Sequence, residues 1–380
     1  MSPPPHIALL MSPRRFTEER HGVRRLATGL LADGASVTIF EPEIDVDPDM
    51  SQPTRERVER RFELPRRVPY AARVPFWLRR ARVDRMTIAC ERSTPDLVWC
   101  CGADAWDLAT QLGVSIDRPV VLDFRSNDDL RRAPRAIRSD HVVALAAPCA
   151  ALAGAARRVV PEPLVRLVPL GVRMLDALAP ATDAQTRREA ASVVTILTEG
   201  RSDAAIRAAL AAVRSETERR PELLALVECD ARSDARIWRA ARELDMLRRI
   251  TAVERGHLTA AAIEACDLLL LPEPHGGPRV EALLALGRNV PIVAASDPFA
   301  DTLIDGETAV LLASGTGHDR AWADAVAAAL EHPEQARKLA SRGRQLVLSR
   351  HRSSMAAQQL LATAEELVAG GPLRFSPQPS

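Results

Sequence analysis

The chain has 380 residues, 51 basic and 50 acidic side chains, a formal net charge of +1 and a hydrophobic fraction of 47%. That length holds two ordinary domains with separate cores, and that balance excludes a disordered or fibrous polymer. The near-zero charge excludes a global field for nucleic acid or an anionic membrane, so any anion site must be local.

The basic residues are almost all arginine, Lys338 being the one lysine, which reads as biased coding and not as a site. Six cysteines (Cys90, Cys100, Cys101, Cys149, Cys229, Cys266) sit in apolar segments without CxxC spacing or a histidine at metal-ligand distance. They read as buried thiols of a reducing compartment, and no metal is expected. No apolar run reaches the roughly 20 residues of a membrane span, and the first residues lack the pattern of a secretory leader. The expected location is cytoplasmic.

In chain order, HIALLMS (6–12) predicts a strand, followed by a basic loop and a helix from about Glu19 to Asp33 that stops at Gly34. Strands follow at 35–43, 95–101, 118–125, 141–147 and 164–171, most of them separated by helical periodicity. Between the first two of these, 54–85 is dense in arginine and carries Phe76 and Trp77. Such a stretch could rest weakly on an anionic membrane. A solvated arginine face over a packed Trp77 is the plainer account, because Glu56, Glu59 and Glu63 interrupt the basic run.

The small and polar segment 178–192 breaks the rhythm as a linker would. The alternation then restarts with strands at 193–200, 223–229, 249–254, 267–273, 290–296 and 308–314, before a wholly helical tail from about Asp319 to Val368. Continuous apolar strands mean parallel sheets covered by helices on both faces. The fold class is therefore α/β, with two Rossmann-like, doubly wound parallel-sheet domains and a C-terminal helical segment crossing them.

Ligands of such sheets bind beyond the carboxyl ends of the strands. Three places there carry suitable side chains. In LLLLPEPHGGPRVE, Gly276 and Gly277 would leave backbone amides uncovered beside His275, and Pro278 fits the first position of a helix, which suits a phosphate. Glu281, in that helix, could accept from a ribose diol, or could simply complement the helix dipole for about 0.3–1 kcal/mol. In VVTILTEGRSD, Arg201 beside free helix amides suits a diphosphate, or pairs with Asp203 at the surface. In the loop after the first strand, Gly22 could admit a ligand near Arg14, Arg15 and His21, or belong to a solvated basic loop. Neither GxGxxG nor GxxxxGK[ST] occurs there, so dinucleotide and P-loop readings lose their support.

The order of these segments resembles the family-four glycosyltransferases of GT-B fold. HGVRRLATGLLADGASVTIFEPE, PDLVWCCGADAWDLATQLG and LVRLVPLGVRMLDALAP are similar to segments of that family's first domain. VVTILTEGRSD corresponds to its strand followed by Gly-Arg, and EPHGGPRVE to its E-x7-E motif. DTLIDGETAVLLASG and the helical tail follow the same pattern. The resemblance implies an acceptor-side domain at 1–177, a linker at 178–192, a nucleotide-sugar domain at 193–350, a crossing helix at 351–370 and a disordered tail at 371–380.

It further implies a transferase using a nucleotide-diphosphate sugar held between the domains, retaining and without metal or other cofactor. Its acceptor would be a glycan, a lipid-linked or a small molecule. Glu281 would take the ribose hydroxyls, Glu273 and the amides from His275 to Gly277 the donor sugar, and Arg201 with the Gly22 loop the diphosphate. This chain departs from the family in lacking the lysine expected just beyond Arg201, where only Arg207 is available. It has no histidine after the 118–125 strand, where Arg125 stands as a substitute catalytic-loop residue, and only Pro272 separates Glu273 from its strand. These departures keep a second reading open, a nucleotide-sugar-binding scaffold that has lost transfer. A sugar-nucleotide epimerase is disfavoured, because no set of catalytic carboxylates appears in the first domain.

Overall fold

The structure is a computed structural model and describes residues 4–43, 65–91, 93–174, 192–229, 234–258, 260–313 and 319–370. The chain divides between Gly171 and Val172 and again between Arg352 and Ser353, so that the C-terminal stretch joins the first unit. The predicted linker lies, but for Ser192, outside the described residues, as do the predicted tail from 371 and Glu56, Glu59 and Glu63.

The first unit holds a seven-stranded parallel sheet of β1 (His6–Met11), β2 (Ser36–Glu43), β3 (Arg66–Ala71), β4 (Leu97–Cys101), β5 (Val120–Asp123), β6 (Val142–Ala147) and β7 (Val165–Leu167). Its order is β3-β2-β1-β4-β5-β6-β7, with the winding reversing between β1 and β4. The second unit repeats the plan with β8 (Val193–Leu197), β9 (Leu224–Cys229), β10 (Ile250–Glu254), β11 (Leu268–Leu271), β12 (Ile292–Ala295) and β13 (Val310–Leu312) in the order β10-β9-β8-β11-β12-β13, reversing between β8 and β11. Strands buried on both faces, such as LVWCC and LLLL, need cover on both sides and therefore helical crossovers.

Those helices are α1 (Pro13–Ala32), α2 (Arg79–Glu91), α3 (Trp106–Ile116), α4 (Ala133–Ala136) and α5 (Ala150–Ala156) in the first unit. In the second they are α6 (Asp203–Glu216), α7 (Asp234–Glu243), α8 (Ala260–Ala265), α9 (Val280–Gly287), α10 (Asp319–Glu331) and α11 (Pro333–Arg350). The final helix, α12 (Ser353–Ala369), packs on α1 and places Leu360, Ala364 and Leu367 in the core around Leu9 and Trp99. A separate core gathers Val194, Ile196 and Leu270 with Ile206 and Leu210 of α6 and Val326 of α10.

Three local expectations change. The basic stretch after β1 is helical and not a loop: Ser12 caps it by accepting from the Arg15 N–H, Pro13 opens its first turn, and only Glu19 (φ −136°, ψ 18°) leaves helical geometry. Gly22 therefore sits inside a helix. The edge strand β3 escapes sequence reading because arginines and Pro69 fill it, a composition tolerated where one side of a strand has no partner. Trp77, offered above as a packed side chain, is 72% exposed.

All six cysteines are buried, and burial pushes the thiols of Cys101 and Cys266 up to about 12, which makes them poor nucleophiles at neutral pH. Among the described residues no helix is long and apolar enough to cross a membrane, and no group of three or more His, Cys, Asp or Glu side chains could hold a metal ion.

Candidate functional site

Both winding reversals put loops and helix starts at the carboxyl edge of a sheet, where doubly wound folds bind ligands. At the second reversal β8 runs into Thr198-Glu199-Gly200-Arg201-Ser202, with Gly200 at φ +67°, and α6 follows. β11 runs into the loop that carries Glu273 to Arg279, and α9 follows.

Glu273 lies across the first of these loops. Its Oε2 accepts from the N–H groups of Glu199 (2.7 Å) and Gly200 (3.0 Å), and its Oε1 from those of Arg201 (2.8 Å) and Ser202 (2.6 Å). The amides of 199–202, which lead into the helix start expected to receive a diphosphate, are thus occupied by a carboxylate of the protein. A short link through Pro272 is what lets Glu273 reach back into that nest. Glu273, expected at the donor sugar, is buried and committed to the backbone.

The glycine amides receive the same treatment. Gly276 N–H and Gly277 N–H both donate to Asp297 Oδ2, at 2.7 and 3.3 Å, so they are not uncovered as predicted. Nor does Pro278 open the helix, because Arg279 is the N-cap and Val280 the first helical residue. Beneath this loop, against β12, the cavity is about 20 Å3, room for one water. Of the side chains expected to meet a ligand here, His275 and Glu281 are the two that keep partial exposure.

Behind them runs a buried charge network that sequence reading missed. Arg279 sets its Nη1 3.0 Å from Glu199 Oε1, its Nη2 3.1 Å from Glu228 Oε2 and its Nε 3.4 Å from Glu281 Oε2. His275 Nδ1 lies 2.9 Å from Glu199 Oε1, and Arg255 Nη1 3.4 Å from Glu199 Oε2. Burial alone would push the Glu199 carboxyl up, but Arg279, His275 and Arg255 outweigh it and hold the group well below the carboxylate range. Glu228 moves the other way, raised by burial and by Glu281 against the pull of Arg279. The available signal was a carboxylate inside or directly after an apolar strand, Glu228 in LLALVEC and Glu199 in VVTILTEG.

Cations collect around the Gly200 loop. Arg201 is exposed on it. Arg236 of α7 donates from Nη1 to Gly200 O at 2.9 Å and meets Asp203 at 3.2 Å, so Asp203 has a partner other than the one sequence suggested. Arg207 lies on the outer face of α6 and pairs with Glu243 at 2.8 Å. Glu281 uses Oε2 on Arg279 and has no protein partner at Oε1 among the described residues.

At the reversal of the first sheet, Asp123 takes the Gly102 N–H at 3.1 Å and the Arg125 Nη2 at 2.9 Å, with Arg15 Nη2 at 3.9 Å. Burial, followed by the nearby Arg125 charge, brings the Arg15 guanidinium down to about 10, still cationic at neutral pH. Gly102 holds φ +110°, and a Cβ there would meet Ser12 Oγ at 2.4 Å, so the turn needs glycine. Arg125 and Gly22 belong to this unit, and Arg201, Glu273, His275 and Glu281 to the other.

Comparison with known proteins agrees with this architecture. A family model described as Glycosyl transferase-like matches residues 262–362, a span that includes the Glu273–Glu281 loop. The comparison with curated proteins gives no match. Among solved structures, HepE of Anabaena in complex with UDP-glucose is 16% identical with a TM-score of 0.71, over 96% of this chain and 100% of that one. Sucrose-phosphate synthase of Thermosynechococcus elongatus is 18% identical with a TM-score of 0.73, over 97% and 100%. A glycosyltransferase of Rickettsia africae is 11% identical with a TM-score of 0.71, over 97% and 100%. The fold is that of GT-B glycosyltransferases, two parallel-sheet α/β domains in series. Within that class the chain resembles the family-four enzymes.

Proposed function

We propose that this protein is a glycosyltransferase that moves a hexosyl group from a nucleotide-diphosphate sugar to a glycan, lipid-linked or small-molecule acceptor, with retention and without a metal. The observation that carries this reading is the placement of Glu281, His275 and Arg201 together at the carboxyl edge of β8 and β11, where a doubly wound sheet receives its ligand. Glu281 Oε1 accepts from the ribose diol. Arg201 takes the diphosphate, and Arg236 supplies the second cation that the missing lysine would have given. His275 faces the donor sugar. Glu273 acts through the loop it fixes, keeping Arg201 in place. With the amides of 199–202 taken by Glu273, charge developing on the leaving diphosphate is met by these guanidinium groups. Arg125, held by Asp123, is an electrostatic group on the acceptor-side domain.

One observation favours the second reading, a binding scaffold without transfer: carboxylates of the protein already occupy both sets of loop amides. The test begins with thermal unfolding in the presence of UDP, GDP, ADP and their sugar conjugates, with and without EDTA. One nucleotide and its conjugate should stabilise the protein by about 2.7 kcal/mol at 100 times the dissociation constant, equally in EDTA. Glu281→Ala should weaken that binding by roughly 1.5–3 kcal/mol, the worth of a charged hydrogen bond. If no nucleotide shifts the transition, the donor assignment fails; if one binds but its sugar is never transferred or hydrolysed, the scaffold reading replaces the enzyme.

A further inference from the structure

The first unit contains a second polar concavity, of about 290 Å3, lined by Arg73, Arg79, Arg82, Asp104, Asp107 and Gln111. It lies at the carboxyl edge of the first sheet, because Arg73 comes just after β3, Asp104 just after β4, and Pro13, which also lines it, just after β1. That is the edge at which such sheets bind ligands.

Its chemistry is mixed. Three guanidinium groups face two carboxylates and a carboxamide. Among the described residues Arg73 and Arg79 take part in no ion pair. Arg82 donates from Nη1 to the carbonyls of Ala71 (3.3 Å) and Ala72 (3.4 Å), and its Nε is buried with no hydrogen-bond partner. Arg82 is thus anchored by one nitrogen and left with donor capacity for something else.

A neutral sugar would give three arginines nothing to neutralise. A polyphosphate or nucleic acid would be repelled by Asp104 and Asp107. The ligand that satisfies both sets carries one acidic group for the arginine forks and hydroxyls for the aspartates and the amide. We propose that this concavity binds an acidic sugar, one bearing a carboxylate or a phosphate monoester, and that on the transferase reading above this sugar is the acceptor.

The test needs no donor. The full chain is titrated with glucose, glucuronate, glucose 6-phosphate and inorganic phosphate, followed by NMR, and UDP binding is measured in parallel. At least one of the two acidic sugars should bind at least about tenfold more tightly than glucose and than inorganic phosphate, the order of one charge-assisted hydrogen bond; which of the two does so separates carboxylate from phosphate. The double variant Arg73→Ala, Arg79→Ala should erase that advantage and leave UDP binding unchanged; both residues are exposed, so the fold should tolerate it. Asp107→Asn should weaken the acidic sugar and leave phosphate alone. Equal binding of glucose and both acidic sugars, phosphate binding as tightly as either, or an advantage that survives the double variant would each overturn the assignment. So would co-sedimentation with phosphatidylglycerol vesicles lost in the double variant while sugar binding is unaffected, which would give these arginines to a lipid surface. If the wild type binds none of UDP, GDP and ADP, it is the donor site that fails, and the acidic-sugar site stands or falls by its own titration.

Discussion

At the residue scale, one guanidinium decides the state of the second unit's reversal. Arg279 serves Glu199, Glu228 and Glu281 at once, and the first two side chains are 3% and 1% exposed. Removing one member of a buried charge cluster leaves the others unpaired, which costs far more than the pair was worth. Arg279→Met should therefore lower the stability of the chain by about 3–5 kcal/mol in chemical denaturation, and adding Glu228→Gln should recover part of the loss. A milder effect would mean water already reaches the carboxylates. Glu199 adds a pH signature. Its folded pKa is depressed, so its contribution is complete above the unfolded value of 4.5 and declines only as pH falls from there toward the folded value. The deficit of Glu199→Gln relative to wild type should stay undiminished from pH 8 down to about 5 and shrink below that. A deficit that fades between pH 8 and 6 would rule out this ion pairing as its source.

At the scale of elements, the last helix is the informative one. α12 follows the second unit in sequence and packs in the first, against α1. The approach is close because Gly29 has no side chain: a Cβ there would lie 2.8 Å from Ala357 Cβ. Alanine would gain helix propensity and lose it again to that contact. Gly29→Leu should overpack the seam and destabilise by roughly 1–3 kcal/mol, read as a lower midpoint at unchanged denaturant slope. If Gly29→Leu is neutral, α12 is not seated as described. The edge strand β3 teaches a related lesson, since its arginines and Pro69 are what a strand needs on a border and what a sequence reader counts against a strand.

At the scale of the molecule, two sheets of the same strand plan bring two sets of loops to two carboxyl edges, each with its own core. The proposed donor groups all belong to the second unit and the proposed acidic-sugar groups to the first. Nucleotide binding should therefore slow hydrogen exchange first in the loops 198–202 and 273–281, and an acidic sugar should do so around 72–82 and 102–111. Exchange that slows only in the opposite unit would reverse the assignment of ligands to domains.

Twelve of the thirteen strands were legible as apolar runs, and Gly34 marked the end of α1, because burial on both faces and a left-handed C-terminal turn leave their marks on contiguous residues. The spacing of Glu273 and Glu281 was legible for the same reason. What the two carboxylates do was not. Glu273 is turned onto the amides of 199–202, Asp297 onto those of 276 and 277, and Arg279 onto a glutamate from β9, all partners at least 20 residues distant in the chain. Local pattern determines where strands, helices and loops fall. Which buried charge meets which amide is decided only when the sheet brings its strand ends together, because desolvation makes each such group take whatever partner the fold sets beside it.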